Sequence, residues 1–272
     1  MTGGAGPPLL LLHGYPQTHV MWHKLAPLLA PHFTLIAADL RGYGASGKPP
    51  TTADHAPYSK RAMALDMAEV MTALGHDRFA VAAHDRGARV AHRLAMDHPD
   101  RVTRLATLDI APTREMYAQT TDAFARAYWH WFFLIQPAPF PENMIAADPK
   151  GYWLKKCGAG SAGLAPFTPA ARDAYLAAFT GPVIHASCED YRAGATIDIA
   201  HDDGDGDARL TMPLLALWGA HGVIERCFDP LALWRERAAD VRGQSLPGGH
   251  YLAEEIPDIV ASHLLPFFKE TP

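Results

Sequence analysis

Cysteine is scarce in this chain: Cys157, Cys188 and Cys227 are its only three in 272 residues. Their odd number and wide spacing exclude a disulfide-stapled scaffold and match no metal-ligand pattern, so they read as reduced thiols of a cytoplasmic protein. Long apolar runs are missing as well. Leu9–Leu12 falls far short of the roughly 20 residues that span a bilayer. No basic segment precedes it, so neither a membrane anchor nor a secretory signal is expected. Clustered basic residues are absent too. With 24 Lys and Arg against 29 Asp and Glu, a net charge of −5, a nucleic-acid surface is not expected. His84, His92 and His98 lack the Cys, Asp or Glu company of a metal site, so neither metal nor cofactor is expected. No internal repeat is evident.

What the chain does hold is apolar material, 49% of its residues, much of it in short continuous runs. Pro8–Leu12, Phe33–Ala38, Phe79–Ala83, Val102–Leu108, Pro213–Trp218 and Gln244–Leu246 read as strands. Unbroken rather than alternating hydrophobicity marks strands buried on both faces, as in a parallel sheet. Helical patterns lie between several of them. Ser59 caps one that runs through Met63, Met67 and Met71 and stops at Gly75. Another opens after Asp85 and closes before Pro99, and Leu231–Ala239 and Asp258–Phe268 follow late in the chain. The alternation predicts an α/β fold, a doubly wound and mostly parallel sheet with right-handed crossovers. Residues 112–209 break the pattern. They are aromatic around Tyr128–Phe133, glycine-rich over 158–163 and poor in strand signals. We expect them to form a helical cap between core segments 1–111 and 210–272. Within them, Asp202–Asp207 is acidic and glycine-rich but lacks the remaining EF-hand positions, and it reads as a solvated return linker.

The most informative segment is Ala83-His84-Asp85-Arg86-Gly87. Its order of small residue, any residue, nucleophile, any residue, small residue, set between strand and helix, resembles the nucleophile elbow of α/β-hydrolases. Asp85 stands where serine is usual. A carboxylate there suits attack on saturated carbon, giving an ester that water then cleaves. Arg86 and Arg89 follow one and four positions later, within one helical turn, so both guanidinium groups are expected at the same mouth, suited to a carboxylate. The turn His13-Gly14-Tyr15-Pro16 follows the first strong strand, and the backbone N–H groups of Tyr15 and Arg86 are the expected oxyanion donors. Near the other end, Gly248-Gly249-His250 lies between the last strand and the last helix, where a general base belongs. Its acid partner is expected at Asp109, at the carboxyl end of the Val102–Leu108 strand, in preference to Glu225 or Asp229 after Trp218-Gly219.

Seven segments together resemble the fluoroacetate (haloacetate) dehalogenases of the α/β-hydrolase superfamily. They are HGYPQTHVMWHKLAP, HDRGARVAHRLA, TLDIAPT, YWHWFFLIQPAPFPEN, CEDYRAGA, LALWGA and GGHYLAEE, and they run through almost the whole chain. The resemblance implies Asp85 as nucleophile, His250 as base and Asp109 as its acid. It further implies Arg86 and Arg89 on the substrate carboxylate, and His130, Trp131 and Tyr191 as donors to the departing halide. The implied substrate is a short 2-haloacid such as fluoroacetate or chloroacetate, hydrolysed to glycolate and halide, and the implied assembly is a homodimer. This chain departs from the family in two places. It starts almost at the segment matching Pro7–Leu12, so the first strands of the sheet are expected to be missing. It also lacks the tryptophan that the family carries near Gly158–Gly163. An epoxide hydrolase using the same Asp-His-Asp chemistry, and a non-catalytic binding protein on the same fold, stay open as alternatives.

Overall fold

Leu9, Leu10, Leu11 and Leu12 are completely buried, which requires a layer of helices on each side of the strand that carries them. Burying each is worth about 1.5–3 kcal/mol. A computed structural model describes residues 1–160 and 162–270 of the chain. Among these residues the strands are β1 (Thr2–Gly4), β2 (Pro8–Leu12), β3 (Thr34–Ala38), β4 (Phe79–His84), β5 (Val102–Leu108), β6 (Leu214–Gly219) and β7 (Val241–Leu246). They form one sheet in the order β1-β3-β2-β4-β5-β6-β7. Only β1 is antiparallel to its neighbour.

That order places the functional end of the sheet. The chain leaves β2 for β3 on one side and returns to β4 on the other, so the gap beyond the carboxyl ends of β2 and β4 is a topological switch point, where α/β sheets bind ligands. Leu12 sits opposite Ala83 in the register, so the turn that begins at His13 faces the elbow that begins at His84. Gly14 is required there. A Cβ on it would lie 2.5 Å from the Asp85 Cβ. Gly87, one helical step on, would place a Cβ 2.4 Å from the His13 carbonyl oxygen.

Against the expectation of missing first strands, a strand, β1, precedes Pro8. Its three residues, Thr-Gly-Gly, are exposed and held by the edge of β3. Edge pairing rather than apolar content makes this strand, so no hydrophobic signal announces it. Similarly, β7 begins at Val241 rather than Gln244. It closes the other edge of the sheet, and its half-exposed Val-Arg-Gly-Gln-Ser lacks the apolar run of a central strand.

All eight described helices from Thr113–Ala118 to Ile197–Gly204 lie between β5 and β6, above the switch point. The acidic run is more than a solvated linker. Asp202 is buried at the end of the Ile197–Gly204 helix, while Asp203 pairs with Arg114 and Asp205 with Arg93. Ser161, in the glycine-rich stretch, lies outside the described residues. No helix of the described residues is long and apolar enough to cross a membrane.

Candidate active site

The helix that carries the elbow, Asp85–Asp97, is polar in sequence yet buried from Asp85 through Ala95. Its arginines are accommodated by specific partners. Arg86 meets Asp190, and Arg93 meets Asp97 and Asp205. Asp85 itself turns off β4 with φ of +46°, a left-handed conformation that strains a residue with a Cβ and lifts its carboxylate from the strand line. Oδ1 accepts a 2.9 Å hydrogen bond from the Tyr15 N–H. Burial works against ionisation of Asp85, but His250, His84, Arg89 and the Tyr15 N–H outweigh it and hold the carboxyl well below the usual range. Of these, Arg89 and the N–H act at any pH.

Asp109, also at positive φ (+52°), sits completely buried just past β5. Its Oδ1 accepts from the Gly219 N–H at 2.8 Å, and its Oδ2 lies 2.6 Å from His250 Nδ1. A carboxylate can only accept, so Nδ1 of His250 carries the proton and Nε2 presents its lone pair. That Nε2 stands 4.0 Å from Asp85 Oδ2, too far for a direct hydrogen bond. The alternative acids lie elsewhere: Glu225 is bonded to the Trp218 indole, and Asp229 caps the Pro230–Arg237 helix through the Ala232 N–H. His84 steadies the loop that carries His250 by donating from Nε2 to the His250 carbonyl at 2.8 Å. Burial, with His250 beside it, pushes its own imidazole down to about 3, so it is neutral.

The two arginines of the elbow are not equivalent. Arg86 donates from Nε and Nη2 to both oxygens of Asp190, each at 2.8 Å, and Lys60 and Tyr43 hold the same carboxylate. Arg89 has no carboxylate fork. It is bound by the Ala111 carbonyl and Thr113 Oγ1 and lies over the Trp131 ring, 4.6 Å from its centre. Burial and the neighbouring Arg86 charge both lower its affinity for a proton. Each arginine still keeps one buried nitrogen without a partner among the described residues, Nη1 on Arg86 and Nε on Arg89.

The cap supplies three more such atoms: His130 Nδ1, Trp131 Nε1 and the Tyr191 hydroxyl. Trp131 and Tyr191 are completely buried. Their rings lie 6.3 Å apart, Tyr191 stands 5.9 Å from His130, and the Arg86 guanidinium sits 4.1 Å from the Tyr191 ring centre. Burial, then the nearby Lys156 charge, keep the His130 imidazole neutral. Unpaired buried polar groups are costly in a native fold, and a cluster of them is the usual mark of a ligand site. Elsewhere in the structure, Glu142, His185 and Glu189 lie close enough to share a metal. Arg192, however, already donates to both carboxylates. They form an ion network that carries its own cation.

Two residues escape sequence reasoning. Asp190 lies one position before Tyr191, but nothing in the spacing ties it to Arg86, 104 residues away. Lys156 sits in an unremarkable cap helix, Pro149–Gly158. Neither carries a local signal.

The family model of the alpha/beta hydrolase fold matches residues 7–155. A fluoroacetate dehalogenase from Burkholderia sp is 47% identical over 99% of this chain and 90% of its own length. A soluble epoxide hydrolase from Corynebacterium sp. (strain C12) is 34% identical, covering 98% of this chain and 92% of its own. A solved α/β hydrolase from Nostoc sp PCC 7120 superposes with a TM-score of 0.96 at 55% identity, over 99% of this chain and 93% of that one. The chain therefore belongs to the fluoroacetate dehalogenase family of the α/β-hydrolase superfamily.

Proposed function

We propose that this enzyme, a hydrolase acting on carbon–halide bonds, converts short 2-haloacids such as fluoroacetate and chloroacetate to glycolate and halide. One observation carries the reading: five buried polar side chains around Asp85, two cationic and three on the cap, each keep an unpaired atom. Carboxylate recognition uses the first two, and a departing halide uses the other three.

The chemistry runs in two steps. The substrate carboxylate engages Arg86 Nη1 and Arg89 Nε, which brings Cα to Asp85. An Asp85 oxygen forms a bond to that carbon while the carbon–halogen bond breaks, and the halide leaves with the electron pair toward His130, Trp131 and Tyr191. Donors placed where charge develops lower the barrier most for fluoride, whose charge is the most concentrated. His250 Nε2 then takes a proton from water, and the hydroxide adds to the Asp85 ester carbonyl. The N–H groups of Tyr15 and Arg86 hold the resulting oxyanion; on collapse His250 passes its proton to the departing glycolate oxygen, and the Asp85 carboxyl left behind gives up its proton to solvent. Asp109 keeps the His250 tautomer and stabilises the imidazolium.

Purified protein incubated with fluoroacetate or chloroacetate releases halide on this reading, measured with an ion-selective electrode. The second reading, epoxide opening, draws on the similarity to the Corynebacterium enzyme and on the buried Tyr191 hydroxyl. Turnover of styrene oxide without halide release from either acid reverses the choice. The proposed assembly is a homodimer, read directly by light scattering.

A further inference from the structure

A cavity of about 200 Å³ opens between cap and core, reaching Tyr128, Trp129, His130 and His250. Asp85, Arg86 and Arg89 do not line it, so it meets the proposed reacting groups only along its His130 and His250 wall. Lys156 and Arg226 project into its lining, and no acidic residue does among the described residues. Lys156 is partly buried, its ammonium 5.9 Å from the centre of the Tyr15 ring. It makes no hydrogen bond or ion pair among the described residues, and the acidic side chain whose charge bears on it is Asp85. Ala159 and Gly160 form part of the wall and leave the lysine open to the cavity.

We propose that Lys156 is the anion-receiving residue of this enzyme, a specificity-determining cation that collects small carboxylates in the outer cavity and passes them to Arg86 and Arg89. The inference rests on the haloacid reading and deepens it. The molecule as a whole is acidic, with a net charge of −5, and repels such substrates at long range. A cleft of one sign with low-dielectric walls reverses that locally and raises association rates by about ten- to a thousand-fold. An ammonium suits the task better than a guanidinium. It grips as a point charge without a fork geometry, so it can release the anion again.

Six tryptophans occur in the chain, and Trp129, in the cavity wall, is the one that is not buried. Its fluorescence therefore reports on this cavity without any turnover. At constant ionic strength, iodide is expected to quench wild-type protein more strongly than Lys156→Met protein by about two-fold or more, with quenching by neutral acrylamide alike in both. Lys156→Arg is expected to restore the iodide effect. In turnover of chloroacetate at low salt, Lys156→Met is expected to lower kcat/KM about ten-fold and to flatten its dependence on salt, while halide release at saturating substrate persists. Equal iodide quenching in wild type and Lys156→Met overturns the proposal, as does an unchanged salt slope. If wild-type protein releases no halide from any haloacetate, the functional reading fails, and the quenching comparison still decides whether Lys156 gathers anions.

Discussion

Asp190 holds Arg86 by two parallel hydrogen bonds of 2.8 Å, and neither side chain has any exposure to solvent. The pair aims the fork. With Nε and Nη2 committed to Asp190, the nitrogen left without a partner among the described residues is Nη1.

The first prediction follows from that asymmetry. Asp190→Asn leaves the buried Arg86 facing a neutral amide, with Lys60 keeping Asp198, and breaking a buried pair from one side costs about 3–5 kcal/mol of stability. Melting should fall accordingly, and the KM for chloroacetate should rise in protein that stays folded. Arg89→Lys spares this network. It should melt close to wild type yet lose about 1.5–3 kcal/mol of transition-state binding, roughly ten- to a hundred-fold in kcat/KM. Wild-type kinetics in Arg89→Lys would remove that arginine from the carboxylate site.

The halide donors separate by leaving group. Tyr191→Phe removes one unpaired donor and keeps the ring under Arg86, while Trp131→Phe removes another and keeps a smaller aromatic face toward Arg89. Both should depress fluoroacetate turnover more than chloroacetate turnover, by about ten-fold for each donor lost. Equal losses on the two substrates would show that these rings only shape the chamber.

The order of steps is readable in a variant that stops halfway. In His250→Asn, about one equivalent of halide per active site should appear and then cease, with a carboxymethyl ester on the Asp85 peptide by mass spectrometry. Asp85→Asn should show neither burst nor adduct. In heavy-oxygen water, a single wild-type turnover should place the label in the Asp85 carboxylate before it reaches glycolate. Repeated turnover by His250→Asn would overturn the ester mechanism.

A fourth prediction concerns Glu254, which ties Gln17 of the first loop to Tyr175 of the cap. Burial, opposed by Tyr175, Lys24 and Gln17, raises its carboxyl from 4.5 to about 8. A raised folded value favours the neutral form, so its stabilising contribution is complete below pH 4.5 and is lost as pH rises toward 8. Asp202, raised by burial from 3.8 to about 7, acts in the same direction. The melting temperature of wild-type protein should therefore drop between pH 5 and 8.5 from these groups, at about 2–4 °C per kcal/mol lost. Glu254→Gln should show a shallower drop. A wild-type slope in that variant would assign the pH dependence to other groups.

The central strands are legible in the sequence because burial on both faces leaves unbroken apolar runs, as at Leu9–Leu12 and Leu214–Trp218. Edge strands escape for the opposite reason: β1 and half of β7 rest on backbone pairing, which leaves no trace in composition. In the site, Asp85, Asp109 and His250 are legible because each stands at the end of a recognisable strand. Asp190 and Lys156 are not. Their importance arises only when a cap helix is laid over the sheet, and no local pattern records which side chain it brings to Arg86 or to the cavity.

The left-handed backbone at Asp85 and Asp109 sets two demands on the chain against each other. Each position carries strain on the order of 1–2 kcal/mol that glycine would relieve, yet the proposed chemistry needs a carboxylate there. Glycine would also remove the acceptors of the Tyr15 and Gly219 N–H groups, a loss of similar size, so a screen for heat resistance alone would exert little pull to keep either carboxylate. Breeding a more robust catalyst from this scaffold therefore calls for halide release as a paired selection in every round.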